Sequence, residues 1–291
     1  MSSQRLYSAL IGINAYEKAN SLDGCIKDVL NLDRILRNLC LQQDPDKLLY
    51  KPLYLLSPHP SDKEIIDEYK KDNEDFDPIL PSFANVSDKV FEHLSNASGN
   101  DICLLYYSGH GSFIDAPPEF SRSKASAQNE TLVCMDSRSV ARDLIDKELA
   151  FLLHKTLKDK PGVHCLVIMD CCHSGNNTRE IVSNTSPLKY RQESPSNQKR
   201  SLQDYIGYNE GFFIVKNGEA IFPVANYVHF AACRDNEKAL DGYAGGLFTR
   251  KLVELLGQGG NASSDKNIMQ SLVSTVSLQN GQQNPVCFST N

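Results

Sequence analysis

Two short stretches of this chain carry the residue types that attack on a carbonyl carbon requires. Ser108-Gly109-His110-Gly111-Ser112 follows the apolar run Asp101–Tyr107, and Asp170-Cys171-Cys172-His173-Ser174-Gly175 follows Val163–Met169. Each run reads as a strand that delivers polar, reactive residues at its C-terminal end, the edge at which open α/β sheets bind ligands. Side by side, the two strands would bring His110 and Cys172 together. A free thiol has a pKa of about 8.5, and only the thiolate attacks. A neighbouring imidazole favours that thiolate and then protonates the leaving amine. Gly109 and Gly111 let the backbone turn sharply and come close to a ligand. The N–H groups of Gly111 and Cys172 are suited to hold a developing oxyanion, where one lost donor typically costs about 3 kcal/mol.

Other readings of the same residues are weaker. Cys171, Cys172, His173 and His110 lack the Cys-x-x-Cys or His-x-x-x-His spacing of a zinc site, so no metal is expected. His173 is a second candidate base, but adjacent side chains on an extended chain point to opposite faces. Cys103 and Cys165 sit inside apolar runs, and Cys25, Cys40, Cys134 and Cys287 are likewise read by residue type as small hydrophobes.

Positioning two strand ends needs a regular frame, and the hydrophobic pattern supplies one. Leu6–Ile13 is a β-rich run that breaks at Asn14; Pro52–Leu56, Glu130–Met135 and Tyr227–Ala232 are further extended pieces. Cys25–Leu39 has Ile26, Val29, Leu30, Leu32, Ile35, Leu36 and Leu39 at helical spacing. Val86, Val90, Phe91 and Leu94 form a second stripe, Asp146–Leu157 a third, and Leu247–Leu256 another helix; Ser57–Pro81 reads as a surface connection with one short helix. Val163–Met169 is nearly all apolar, as a strand covered on both faces should be. Strands alternating with helices predict a mostly parallel sheet between two helical layers.

From Asn176 to about Ala225 the chain is rich in Ser, Asn, Gln, Lys and Arg, and it reads as a linker whose basic residues are solvated. The chain has 291 residues, and its last apolar piece, Pro285-Val286-Cys287-Phe288, resembles the start of another strand. That ending leaves open a longer protein with further domains or an activating partner.

The charge balance excludes some classes. With 30 basic against 36 acidic residues, the chain lacks the basic excess that phosphate contacts need, so no nucleic-acid partner is expected. No apolar segment reaches the roughly 18 residues of a membrane span, and the N-terminus has no signal-peptide pattern. Nine scattered cysteines without a secretory signal argue against a disulfide framework, and the protein reads as cytoplasmic.

Tyr107-Ser108-Gly109-His110-Gly111 and Asp170-Cys171-Cys172-His173-Ser174-Gly175 together resemble the paired signatures of the metacaspases and their bacterial relatives in the caspase clan. Gly24-Cys25-Ile26-Lys27-Asp28, Ala232-Cys233-Arg234-Asp235-Asn236-Glu237-Lys238-Ala239 and Gly246-Leu247-Phe248-Thr249 resemble further motifs of that family, in the same order. The resemblance implies a caspase-like three-layer α/β sandwich with about six mostly parallel strands. It implies one peptidase domain over 1–291, with 1–175 like a large subunit, 176–226 a linker loop and 227–291 like a small subunit.

Carried over onto this sequence, the family pattern Asp-x-Cys-His-Ser-Gly makes Cys172 the nucleophile and Cys171 the x residue, with His110 as base. Asp28 and Asp170 become the acidic lining of the pocket for the residue before the scissile bond, with Ser108 and Cys25 beside them. Two carboxylates favour a planar guanidinium over an ammonium, so the resemblance implies protein or peptide substrates cut after Arg or Lys. The Gln-Ala-Cys signature of true caspases is absent. No organic cofactor is implied. The stretch Ser112–Glu119 lacks the carboxylate cluster of calcium-dependent relatives, so no strong calcium site is expected. Self-cleavage in the 176–226 segment, which holds Arg179, Lys189, Arg191, Lys199 and Arg200, is expected after Lys199 or Arg200. The rival reading is a catalytically silent member of the clan acting as a binding module.

Overall fold

The computed structural model describes residues 3–42, 48–121, 128–172, 189–234, 237–258, 265–280 and 283–289. Six strands form the central sheet: β1 (Gln4–Ile13), β2 (Leu48–Ser57), β3 (Ile102–Ser108), β4 (His164–Asp170), β5 (Val228–Ala231) and β6 (Val286–Ser289). Their order is β6-β5-β4-β3-β1-β2, and every neighbouring pair is parallel except the edge pair of β5 with β6. The expected α/β sandwich is what the chain forms.

Two-residue periodicity along each strand divides the core between the faces. Tyr7, Ala9, Ile11 and Ile13 of β1, Cys103, Leu105 and Tyr107 of β3, and Val167 and Met169 of β4 share one cluster. Leu6 and Leu10, Leu104 and Tyr106, and Ile168 belong to the other. The first face is covered by α3 (Val90–Leu94, entered through a π turn at Asn85–Lys89) and α4 (Asp146–Leu157). The second is covered by α1 (Cys25–Gln42), α2 (Lys63–Asp72), α5 (Leu247–Gly257) and α6 (Asp265–Asn280). Among the described residues no helix is long and apolar enough to cross a membrane.

The helix α6 was not anticipated. Met269, Leu272 and Val276 are buried among its described side chains, and so sparse a stripe gives little periodic signal. The extended piece near Glu130 is the strand Gln128–Leu132. It lies outside the main sheet, in an antiparallel ribbon with Gly111–Asp115 and Leu144–Ile145.

The larger departure concerns the polar stretch read as a solvated linker. Over 189–226 it packs against the first face, with Tyr205, Phe212, Phe213 and Phe222 meeting Phe120 and Phe151 edge-on or tilted. Two of its basic residues, Arg191 and Arg200, are buried. Their charges are matched by carboxylates from distant segments, a pairing that local composition does not reveal. Arg179 and His173 lie outside the described residues.

Candidate active site

The break of β1 at Asn14 is where the site begins. The Asn14 side-chain carbonyl accepts the Cys25 N–H at 2.9 Å and so satisfies one free donor at the start of α1. This sets the first turn of α1, with Asp28 buried in it, beneath the ends of β3 and β4. A carboxylate is electrostatically favoured at that helix end.

Parallel register places Ser108 of β3 directly opposite Asp170 of β4. Beyond Ser108 the chain turns through Gly109, where a Cβ would lie 2.7 Å from the Tyr107 hydroxyl oxygen and 2.8 Å from that of Tyr16. Only glycine fits. Those hydroxyls fix the next residue: Tyr16 accepts the His110 N–H at 2.8 Å, and Tyr107 donates to the His110 carbonyl at 2.7 Å. The His110 ring donates from Nε2 to the Asn20 carbonyl at 2.8 Å, because a carbonyl can only accept. That bond sets the tautomer. Nδ1 is left as the proton acceptor, buried and without a hydrogen-bond partner among the described residues. Burial pushes the imidazole below its ordinary range, against the opposing influence of the Asn20 carbonyl and the Glu193 carboxylate.

The period of two continues past the end of β4, so Cys171 packs in the core of one face and Cys172 in that of the other. Burial raises the Cys171 thiol well above the usual thiol range. The Cys172 sulfur receives the Ala239 N–H at 2.7 Å. The Cys233 thiol, hydrogen-bonded to Cys172, is held well up by that bond first and by burial second.

Beside these residues lies an acidic pocket, and it is filled. The Arg191 guanidinium, 0% exposed, reaches Asp28 at 2.6 Å, Asp170 at 2.9 Å and Asp241 at 2.9 Å, and donates to the Ser108 hydroxyl oxygen at 2.9 Å. The pocket walls are tied in turn. Ser108 donates to Asp28 at 2.9 Å, the Gly246 N–H to Asp28 at 3.0 Å, and the Thr249 hydroxyl to Asp170 at 2.6 Å. Asp241 accepts the N–H groups of Asp23 at 2.8 Å and Gly24 at 3.2 Å. A Cβ on Gly246 would come within 2.7 Å of the Arg191 guanidinium carbon, so glycine there leaves room for the cation. Burial raises Asp28 to about 7, with the guanidinium pulling the other way and Asp170 adding to the rise. Burial also raises the Cys25 thiol well above its usual range, so it stays protonated in the pocket wall.

The backbone of Arg191 is held as firmly as its side chain. Its carbonyl oxygen accepts the N–H of Gly111 at 3.0 Å and that of Cys172 at 3.1 Å, and its own N–H donates to the Ala239 carbonyl at 3.1 Å. The sequence-predicted residues Cys172, His110, Gly111, Asp28, Asp170, Ser108 and Cys25 therefore gather around one point. Asp241 and Asn20 were not foreseen. Asn20 arrives on an irregular segment and Asp241 on the two-residue strand Leu240–Asp241; neither carries a motif, and the adjacent Gly242 is the one local hint of a turn at Asp241. Lys199 and Arg200 are not at this site: Lys199 is exposed, and the Arg200 guanidinium donates to the Asp143 carbonyl at 2.8 Å and pairs with Glu148 at 3.5 Å.

A parallel sheet whose adjacent strand ends carry a histidine and a cysteine beside an acidic pocket defines the caspase-like class of α/β folds. Residues 6–291 match the caspase domain family, and the chain belongs to it. It is similar to Metacaspase-1B of Aspergillus terreus, 26% identical over 171 residues, which covers 59% of this chain and 38% of that protein. It is also similar to Metacaspase-1 of Eremothecium gossypii, 22% identical over 284 residues, covering 86% of this chain and 56% of that one. The chain thus spans between about a third and little more than half of the curated relatives it matches. A crystal structure of a Geobacter sulfurreducens protein has the same fold, with a TM-score of 0.61 and 21% identity over 98% of this chain and 93% of that one.

Proposed function

We propose that this chain is a cysteine endopeptidase that cleaves after arginine and, less readily, lysine. Cys172 is the nucleophile and His110 its proton-transfer partner. The carrying observation is the double capture of Arg191, whose guanidinium fills the acidic pocket while its carbonyl oxygen takes the N–H groups of Gly111 and Cys172. An acyl-transfer site must hold a substrate residue in this way. The side chain is selected in one place, and the carbonyl is polarised where its oxygen will gain charge.

In the proposed reaction His110 Nδ1 takes the thiol proton as Cys172 Sγ adds to the substrate carbonyl carbon. The tetrahedral oxyanion rests on the N–H groups of Gly111 and Cys172. The C–N bond breaks, His110 returns the proton to the leaving nitrogen, and water then hydrolyses the thioester. Asn20 is a positioning residue, since its carbonyl keeps the Nε2 proton in place and Nδ1 free to accept. None of these steps is routed through a metal or an organic cofactor. Self-processing within 176–226 belongs to the same reading.

Fluorogenic tripeptide amides ending in Arg, Lys or Asp test the proposal. Arg and Lys peptides are cleaved and Asp peptides are not. Cys172→Ala and His110→Ala lose activity with unchanged thermal unfolding, and Cys171→Ala keeps most of it. Faster turnover of the Asp peptide sinks the pocket assignment. An inactive Cys171→Ala variant beside an active Cys172→Ala variant reverses the nucleophile.

A further inference from the structure

The nucleophile has a second sulfur beside it that the proposed reaction leaves unused. Cys233 follows β5, and β5 runs parallel to β4, with Ala231 opposite Met169 and the Ala232 N–H donating to the Met169 carbonyl at 3.0 Å. Two strands side by side thus deliver two cysteines to one edge of the sheet. The Cys233 thiol is hydrogen-bonded to Cys172 and lies 3.7 Å from the Cys171 carbonyl oxygen, across the end of β4. Residues 237 and 239 close over the pair. The Glu237 carbonyl oxygen is 3.6 Å from the Cys233 sulfur, and the Cys172 sulfur meets the Ala239 N–H at 2.7 Å and its carbonyl oxygen at 3.6 Å. The neighbour in sequence is the wrong partner. Cys171 packs into the core of the opposite face, whereas Cys172 and Cys233 share one core. Cysteines whose side chains point apart cannot be bridged without moving the backbone.

The two sulfurs also differ in what they can do. The hydrogen bond with Cys172, and burial after it, hold the Cys233 thiol protonated, so it is a poor first target for an oxidant. Cys172 gives its proton to His110 in the proposed reaction, and a thiolate is the form that peroxides oxidise. We infer that Cys172 and Cys233 form a reversible disulfide that switches the peptidase off in hydrogen peroxide and shields its nucleophile from irreversible oxidation. This takes from the peptidase reading only the reactivity of Cys172 beside His110. In the first step the Cys172 thiolate attacks one peroxide oxygen and the O–O bond breaks. The released hydroxide takes the proton from His110 and leaves as water, so peroxide is reduced and Cys172 becomes a sulfenic acid. In the second step the Cys233 sulfur attacks the Cys172 sulfur, the S–O bond breaks, and the thiol proton leaves with the hydroxyl as a second water. While the bond stands, Cys172 has no thiolate to offer a substrate carbonyl, and its sulfur does not pass on to the sulfinic acid. An added dithiol takes up the oxidation and returns both thiols.

Excess hydrogen peroxide, added while the full chain turns over an arginyl peptide amide, tests this, with peptides mapped by mass without reduction. Wild type loses activity as a linked pair of peptides holding Cys172 and Cys233 accumulates, lighter by two hydrogens than the free thiol peptides. Dithiothreitol then returns at least about nine-tenths of the starting rate. Cys171→Ala keeps both the link and the recovery, which places the bond on Cys172. Cys233→Ser, scored against its own starting rate, forms no link and regains less than about a tenth, with Cys172 found as the sulfinic or sulfonic acid. Should that variant fail to fold, the peptide maps of wild type and Cys171→Ala decide alone. The inference is overturned by wild type that keeps its rate, that is inactivated without the Cys172–Cys233 bond, or that joins Cys172 to Cys171 or Cys25 instead. A Cys233→Ser variant that recovers as fully as wild type also overturns it. Each of these leaves the peptidase reading standing. Wild type that forms the bond yet cleaves no Arg, Lys or Asp peptide before oxidation overturns the peptidase reading and leaves the bond.

Discussion

Helix α1 holds two buried carboxylates, Asp28 near its start and Asp33 near its middle, and the fold treats them differently. Asp33 accepts hydrogen bonds from Tyr50 at 2.5 Å, Tyr54 at 3.0 Å and Arg37 at 2.7 Å, and another from Tyr69. Those donors come from β2, α2 and α1 itself, all regular elements of the domain. Asp28 has Ser108 and the Gly246 N–H as fixed partners, but its charge is met by Arg191, which follows the two-residue strand Lys189–Tyr190 outside the main sheet. Two acids of equal burial on one helix thus differ in the source of their partners, and under the proposed function Asp28 serves a binding site with an exchangeable cation while Asp33 serves the frame.

Breaking each site in turn should give opposite results. Asp170→Asn, which removes a carboxylate from the replaceable cation, should lower kcat/KM for arginyl peptides by about 10²–10³-fold, in line with truncating one partner of a buried charge pair. It should do so without a matching fall in Tm. Asp33→Asn should leave kcat/KM within about twofold and lower Tm by roughly 6–10 °C, as expected for about 3 kcal/mol lost from a buried hydrogen-bond network. Paired melting curves and steady-state kinetics would collapse the contrast if Asp33→Asn proved the more damaging to catalysis.

The titration of the pocket sharpens the comparison. Asp28 is raised to about 7 by burial, so it is charged above that pH and neutral below it. Only the charged form attracts a guanidinium fully. The KM for arginyl peptides should therefore rise as pH falls through about 7, by at most about tenfold per unit for one ionisation. His110 is shifted the opposite way, downward, so its protonation enters only at lower pH. In Asp28→Asn the KM is higher throughout and its rise near pH 7 disappears. A wild-type KM that is flat from pH 8 to 6 rules out Asp28 as the titrating group.

The smallest effect is expected at the rim. Lys189 and Asp23 form their ion pair with side chains about two-fifths exposed, where such pairs contribute about 1 kcal/mol or less. Asp23→Ala should reduce the preference for lysine two positions before arginine by no more than about fivefold, measured across a small peptide series.

The parts of this site that could be read in the sequence are those that regular structure delivers. Strand-end residues such as Ser108, His110, Asp170 and Cys172 follow from an apolar run and the break after it. The opposite facing of Cys171 and Cys172 follows from the strand period. Asp241, Asn20 and Arg191 were hidden for a shared reason: each is placed by long-range contacts to other loops, and nothing local marks an acid, an amide or a basic residue as buried. The same holds for Phe212, Phe213 and Phe222, whose packing surrounds a hairpin (Ile214–Lys216 with Glu219–Ile221) inside a stretch whose composition reads as solvated.

The distribution of sulfur gives the protein a built-in gauge. Eight of its nine cysteines are buried, Cys172 among them, and Cys287 on the edge strand is exposed. Burial raises the neighbouring thiols Cys25 and Cys171, a hydrogen bond with Cys172 and then burial raise Cys233, and all three are kept protonated and inert. A thiol-labelling reagent added under native conditions therefore counts the state of the cleft. With the segment around Arg191 in place it should label a single sulfur, Cys287, and a second one, Cys172, only where that segment is displaced.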